Sequence, residues 1–151
     1  MNSFEVSKTI LTENGKLTGI TAGNSMRPLF KDNRDKAVIV PIVRPLKRND
    51  VLLYKKSTTN DVVLHRVVKF KNNQPVFRGD SLYFTETNIP KENIVGIMDG
   101  FYRNGKYYNC QKSIRYKLYV FLLRISYPLR RICHKGKSFL KILKRHIKKP
   151  T

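Results

Sequence analysis

The chain has 151 residues, which is the size of one ordinary domain and excludes two full ones. Its formal net charge is +21, and this charge is unevenly distributed. All 10 acidic residues lie within residues 1–100, whereas residues 101–151 carry 15 of the 31 lysines and arginines. Such a basic segment requires counterions or an anionic partner, either phospholipid headgroups or nucleic acid.

Two further classes are not indicated by the composition. The N-terminus has no cationic stretch followed by an apolar run, so no signal peptide is predicted. The longest apolar run, residues 118–123, is far below the roughly 20 residues of a spanning helix, so no transmembrane helix is predicted. Cys110 and Cys133 lack metal-ligand spacing, and we expect two unpaired thiols with no disulfide, metal site or cofactor.

The first 112 residues have the pattern of a compact, mostly antiparallel β-domain with a short N-terminal helix. Ser3 is predicted to cap that helix and Gly15 to end it. Short β-rich runs then alternate with Asn and Asp turns, and the third and fourth runs predict a hairpin. The predicted strands are 17–22, 36–43, 50–56, 61–70, 74–79 and 93–98, followed by a hairpin over 101–110 that turns at Asn104 and Gly105.

A second region, residues 113–151, is predicted to be a basic amphipathic helical segment. Its apolar residues recur at i, i+4, i+7 and i+8 from Ile114 to Ile132 and again from Phe139 to Ile147. Pro128 is expected to kink or divide this segment, and Gly136 to interrupt it again.

Ser25 and His65 are the candidate catalytic pair. A serine hydroxyl is a poor nucleophile at neutral pH and needs a second group to take its proton. Histidine suits this task because its ordinary pKa lies near the working pH. His65 is the only histidine before residue 134, and it lies in an apolar strand where an ionisable ring is costly without a partner.

Four sequence boxes occur in order within residues 3–105: GNSMRPLF, KRNDVLLY, VVLHRVV and RGDSL. In this order and at these intervals they resemble the conserved boxes of the type I signal peptidase and LexA-like serine peptidase superfamily. The Ser-Met-x-Pro element at residues 25–28 is the most specific of them. The resemblance implies a β-rich fold with Ser25 at the edge of a shallow cleft, where a peptide substrate binds as an added β-strand.

The resemblance also implies roles for individual residues. Bacterial signal peptidases and LexA-like repressors have a lysine base in the strand that here contains His65. The run from His65 to Val67 instead resembles the endoplasmic-reticulum and archaeal branch and small bacterial relatives, so His65 is expected to be the base, not Lys69. Asp80 matches the acid of the Gly-Asp box and is expected to orient His65, with Glu86 as the possible substitute.

The remaining site residues surround the serine. The main-chain N–H of Ser25, with help from Gly23 and Asn24, is expected to stabilise the oxyanion. Met26 is expected to pack beneath the nucleophile and line the substrate pocket, and Pro28 to fix the exit of the loop. The resulting hypothesis is a serine endopeptidase that removes leader or signal segments from peptides or preproteins.

Three partners compete for the basic tail. Its apolar stripe and basic face favour an interface with anionic lipid, which predicts a peripheral membrane protein on the cytoplasmic face. The stripe could instead dock on the β-domain of the same chain, and nucleic-acid binding is the least favoured because no reading module is visible. The alternative functions are a LexA-like module that cleaves itself or binds nucleic acid, and a catalytically silent binding relative. The oligomeric state is not predicted.

Overall fold

A computed structural model describes residues 2–59 and 61–128 of the chain. Seven strands form one antiparallel sheet, which confirms the prediction of a mostly antiparallel β-domain. Helix α1, Ser3–Asn14, precedes the sheet, and a short 3-10 turn, Lys91–Asn93, precedes the sixth strand. The strands are β1 (Leu17–Ile20), β2 (Lys36–Val40), β3 (Val51–Lys55), β4 (Val62–Lys71), β5 (Gln74–Arg78), β6 (Ile94–Arg103) and β7 (Lys106–Asn109).

The strands follow the order β1-β2-β6-β3-β4-β5, and β7 pairs with β6. Both predicted hairpins are present: Lys55 pairs with Val62 across the β3–β4 turn, and Arg103 pairs with Lys106 across the β6–β7 turn. The second turn is formed by Asn104 at φ 50° and Gly105 at φ 75°, both in the left-handed region. Two such residues match the twist of antiparallel strands, which explains the tight connection.

The N-terminal helix begins one residue earlier than predicted. The side chain of Asn2 accepts a hydrogen bond of 2.9 Å from the Glu5 N–H, so Asn2 is the N-cap and Ser3 is the first helical residue. Asparagine and serine are about equally good at this position, and sequence alone does not choose between neighbours. Gly15 ends the helix in the left-handed conformation at φ 64°, as predicted.

Strand β6 is longer than predicted, because it continues through Asp99 and Gly100 into the predicted hairpin. The Asp99 carboxylate accepts hydrogen bonds from Tyr107 and Asn109 of β7, which hold this turn-like dipeptide extended. A Cβ at Gly100 would lie 2.5 Å from the Tyr107 hydroxyl oxygen, so only glycine fits this close approach. The pairing with β7 therefore overrides the local preference for a turn.

The core on one face of the sheet determines the surroundings of His65. Leu52, Tyr54, Val67 and Phe77 are completely buried and pack together there. Directly paired residues of an antiparallel sheet project to the same face, and Leu52 pairs with His65. The imidazole of His65 therefore enters this core rather than solvent, and only 1% of the residue is exposed.

The chain divides into two compact units, Met1–Lys117 and Leu118–Thr151, and the first contains all seven strands. Residues 114–128 are helical, in agreement with the predicted start of the amphipathic segment. No helix in the described part of the chain is long and apolar enough to cross a bilayer. The predicted effects of Pro128 and Gly136, the thiol of Cys133 and the helical pattern beyond residue 128 concern residues outside the described ones.

Candidate functional site

Ser25 lies in a loop, residues 21–35, that joins β1 to β2; we call it the serine loop. Two backbone hydrogen bonds connect the ends of this loop. The Thr21 N–H donates to the Asp35 carbonyl over 2.9 Å, and the Asn33 N–H donates to the Thr21 carbonyl over 3.0 Å. The completely buried Asp35 carboxylate also pairs with Arg34 and Arg103. The loop is thus anchored to β6 by a buried ionic contact that the sequence motifs do not indicate.

The turn after β5 holds the backbone of Ser25. The Ser81 N–H donates to the Ser25 carbonyl over 2.9 Å, and the Ser81 hydroxyl lies 2.7 Å from the carbonyl oxygen of Asn24 and 3.0 Å from that of Ser25. These contacts join the first and last of the four sequence boxes. Ser81 therefore positions the serine loop, a role that was not predicted for it.

The close contact between this turn and the Ser25 carbonyl requires a glycine at position 79. A Cβ on Gly79 would lie 2.5 Å from the Ser25 carbonyl oxygen and 2.9 Å from Leu82 Cδ1. Such a distance is too short for any real contact, so a side chain here displaces the serine loop. The glycine of the Gly-Asp box thus permits the turn to approach Ser25 closely.

Gly79→Ala is accordingly expected to lower both the free energy of unfolding, by about 1–3 kcal/mol, and the proposed peptidase activity. Thermal or urea unfolding measures the first effect. Gly19→Ala is the matched control for stability, because a Cβ on Gly19 has no neighbour within 4 Å. Equal stability of the two variants would contradict the close packing of the turn against Ser25.

An apolar groove of about 230 Å³ runs beside Ser25. Its walls include two chain segments, residues 19–23 before the serine and residues 62–64 before His65. Met26 is buried and lines this groove, as does Ser25 itself. Concave, mostly apolar sites with a few polar groups are typical of ligand-binding sites.

Two polar groups lie beside Nδ1 of His65, and a third contacts one of them. The Tyr54 hydroxyl oxygen lies 3.0 Å from Nδ1, and the Glu86 carboxylate oxygen Oε2 lies 3.6 Å from it. Tyr54 donates its hydroxyl hydrogen to Glu86 Oε2 in a short hydrogen bond. The other carboxylate oxygen, Oε1, lies 3.0 Å from Nζ of Lys56. Glu86, the possible substitute for Asp80 in the sequence prediction, is thus the carboxylate that lies beside Nδ1 of His65.

The surroundings set the charge states of these groups. Burial lowers the pKa of His65 below its ordinary 6.5, and Lys56 lowers it too, although the negative charge of Glu86 acts in the opposite direction. Partial burial would raise the pKa of Glu86, but hydrogen bonds from Tyr54 and Lys56 outweigh it and lower that pKa overall. At pH 7 the histidine is therefore neutral and the glutamate is charged.

Asp80 occupies a different environment from the one predicted. Both of its carboxylate oxygens accept hydrogen bonds of 2.7 Å from the guanidinium of Arg66, and both side chains are buried. Arg66 also donates to the Asn49 carbonyl over 3.0 Å and to the Tyr116 hydroxyl over 2.9 Å. Asp80 thus takes part in a buried ion pair that connects β4 to the turn after β5.

The structure does not join Ser25 directly to His65. Nε2 of His65 is buried and has no hydrogen-bond partner among the described residues, so no hydrogen bond links it to the Ser25 hydroxyl. Catalytic hydrogen bonds are often long without substrate and shorten when the substrate binds. A neutral imidazole with an unpaired Nε2 has the chemical form of a general base.

The predicted oxyanion donors are only partly available. The Gly23 N–H donates to Oδ1 of Asp32 over 2.8 Å and is therefore occupied. Asn24 contributes its carbonyl to a turn with the Arg27 N–H, and the Arg27–Pro28 peptide bond is cis. Among residues 2–59 and 61–128, the N–H groups of Asn24 and Ser25 donate to no acceptor, so both are candidate donors.

No protein-family model matches the chain, and no curated protein matches it either. The resemblance to a peptidase superfamily therefore stays a prediction from the four sequence boxes.

Sequence reasoning missed Tyr54 and Lys56. Tyr54 lies in the apolar run of the second box, and a buried tyrosine hydroxyl in such a strand needs a hydrogen-bond partner. That requirement was a signal of a nearby acceptor. The identity of the acceptor depended on the position of Glu86, 32 residues further along the chain.

Proposed function

We propose that this chain is a serine endopeptidase of the signal peptidase-like and LexA-like class, with Ser25 as the nucleophile and His65 as the general base. The observation that carries the proposal is the state of His65: a neutral imidazole whose Nδ1 is engaged and whose Nε2 is unpaired among the described residues. The strand that holds it also lines the groove in which Ser25 lies. The finer fold assignment, the signal peptidase and LexA type of β-domain, belongs to the same proposal.

The reaction would proceed by acyl transfer. Ser25 Oγ attacks the carbonyl carbon of the scissile peptide while Nε2 of His65 takes the hydroxyl proton. The negative oxygen of the tetrahedral intermediate accepts a hydrogen bond from the Ser25 N–H. The C–N bond then breaks as the imidazolium returns the proton to the departing amine, and water hydrolyses the acyl-enzyme through the same base.

The substrate would bind as an extended segment in the apolar groove. Residues 19–23 and residues 62–64 form two of its walls, and each segment leads directly to one member of the catalytic pair. An extended peptide between them could form main-chain hydrogen bonds while its small apolar side chains enter the groove. The enzyme would then remove the leader or signal segment of this peptide by cleaving after a small residue, as in the superfamily that the sequence resembles.

The purified chain is expected to cleave peptides with small residues before the scissile bond, and Ser25→Ala is expected to abolish this cleavage. Loss of the nucleophile lowers kcat by about 10⁴-fold or more in serine peptidases. Ser7→Ala is the matched control, because the hydroxyl of Ser7 only bonds to the Ser3 carbonyl within helix α1. Cleavage that persists in Ser25→Ala would refute the assignment.

Two other functions are distinguished by the same assay. A catalytically silent binding relative would bind such peptides without cleaving them, even with Ser25 intact. A LexA-like module would cleave its own chain, which a shift in mass of the purified protein would reveal.

A second proposal concerns the location of the enzyme. Five large apolar residues on helix 114–128 are more than half exposed: Ile114, Leu118, Phe121, Leu122 and Ile125. Arg115, Lys117 and Arg124 of the same helix are also exposed. Exposed apolar residues beside basic ones favour an anionic membrane surface, because lipid can bury the former and neutralise the latter. We therefore propose peripheral attachment, with the cytoplasmic face as the side.

The protein is expected to sediment with phosphatidylserine-containing vesicles and not with pure phosphatidylcholine vesicles. Phe121→Ser combined with Leu122→Ser is expected to weaken this binding by at least about tenfold, because two large apolar side chains no longer enter the lipid. Val43→Ser is the matched control, since Val43 is exposed on the β-domain. Stronger binding to duplex DNA than to anionic vesicles would contradict the proposal.

A further inference from the structure

The side of the His65 imidazole that does not serve the reaction is connected to a chain of polar groups from three parts of the fold. Tyr54 comes from β3, Lys56 from the β3–β4 turn, and Glu86 from the segment after β5. His65 itself is on β4. The sequence boxes assign no function to Tyr54 or Lys56.

The hydrogen positions in this series of hydrogen-bonded side chains follow from which groups can donate and which can accept. Lys56 can only donate, and the charged Glu86 can only accept, so Glu86 accepts from both Lys56 and Tyr54. Because the hydroxyl hydrogen of Tyr54 is donated to Glu86, the hydroxyl oxygen can only accept a hydrogen bond from His65. Nδ1 of His65 must therefore carry the proton, which leaves Nε2 with a free lone pair.

We infer that Tyr54 and Glu86 are positioning residues that hold His65 in the tautomer required for general-base catalysis, with Lys56 fixing the far end of the chain. The inference rests on the proposed function for its catalytic meaning. In the usual serine triad a carboxylate contacts the imidazole directly. Here the carboxylate acts mainly through a tyrosine hydroxyl.

Backbone hydrogen bonds and ring packing hold these side chains in place. The backbone N–H and carbonyl of Glu86 both bond to Phe77 of β5 over 2.8 Å, which fixes the base of the glutamate side chain. The ring of Tyr54 packs on the ring of Phe77 with centroids 4.7 Å apart. The Lys56 N–H donates to the Asp61 carbonyl over 2.8 Å in the hairpin turn. All three side chains thus start from fixed backbone positions.

The charged groups around His65 act on its proton affinity in opposite directions. Glu86 and, to a smaller extent, Asp80 favour the imidazolium, whereas burial and Lys56 disfavour it. As His65 takes the serine proton, the hydroxyl of Tyr54 and the charge of Glu86 stabilise the new cation. Removing Glu86 or removing Lys56 therefore perturbs His65 with opposite signs.

The direct test is a ¹⁵N NMR titration of the imidazole of His65 in the full chain. The wild-type protein is expected to show the Nδ1–H tautomer when neutral. Glu86→Gln is expected to lower the pKa of His65 further, and Lys56→Met is expected to raise it. An Nε2–H tautomer in the wild type would overturn the inference, and so would shifts of the two variants in the same direction. The wild-type tautomer decides the question even where a variant fails to fold.

Kinetics then separate this inference from the proposed function. Tyr54→Phe retains the ring that packs on Phe77, and it is expected to lower kcat/KM by at least about tenfold while the Nδ1–H signal weakens. Unchanged kcat/KM and an unchanged Nδ1–H signal in this variant would overturn the role of Tyr54. A wild-type protein with the Nδ1–H tautomer but no peptidase activity would refute the peptidase and leave the hydrogen-bond chain established.

Discussion

Replacing His65 by glutamine is expected to lower kcat for peptide cleavage by about 10⁴-fold or more at pH 7. Glutamine retains a polar side chain in the core but cannot accept and return a proton. Because the pKa of His65 is lowered mainly by burial, the wild-type histidine is neutral at pH 7. The acid limb of the wild-type pH–rate profile for kcat/KM should therefore lie below pH 6.5.

Lys69→Gln provides the matched control for a lysine base. Lys69 is an exposed residue of the same strand, and its replacement is expected to leave kcat unchanged. Activity that survives in His65→Gln and disappears in Lys69→Gln would reverse the assignment of the base. Circular dichroism and thermal unfolding of both variants would show whether each retains the folded sheet.

Replacing Asp80 by alanine is expected to lower the free energy of unfolding by about 3–5 kcal/mol. The substitution leaves the buried guanidinium of Arg66 without the two carboxylate hydrogen bonds of 2.7 Å that it now forms. The free-energy cost of leaving one buried charge without its partner is much larger than the net stabilisation that the pair provided. Urea unfolding at pH 7 measures the change.

The double variant Arg66→Met with Asp80→Leu tests the reason for that loss. It removes both charges together and is expected to recover part of the stability, although the Asn49 carbonyl and the Tyr116 hydroxyl lose a donor. Asp80→Asn separates the ion pair from catalysis. A fully stable Asp80→Asn protein whose kcat falls as far as that of His65→Gln would restore Asp80 as the acid that orients His65.

The regular part of the fold was predictable because its signals are local. Alternating apolar residues bounded by Asn and Asp turns predicted the strands, and Asn104–Gly105 predicted the last hairpin. The end of β6 was wrongly predicted because pairing within the last hairpin overrides the preference of a dipeptide. Asp99 and Gly100 have the composition of a turn, yet β7 keeps them in β6.

The partners in the site were less predictable because they depend on strand register. Tyr54 reaches His65 because Leu52 pairs with His65 and Tyr54 with Val63, which brings all four residues to one face. Glu86 approaches from a segment that pairs with β5 only at Phe77. Asp80 and Glu86 are the first two of four acids after His65, and only the folded chain places one beside Arg66 and the other beside His65.

The anchoring of Ser25 by Ser81 matters for a chain that is still being made. A ribosome must add 56 residues after Ser25 before Ser81 exists to hold its carbonyl, and His65 is made within that interval. Under the proposed function, an incomplete chain carries an unsupported serine and cannot cleave its neighbours. The nascent enzyme would be inactive during synthesis, and it would become active only after β5 and the turn that follows have joined the sheet.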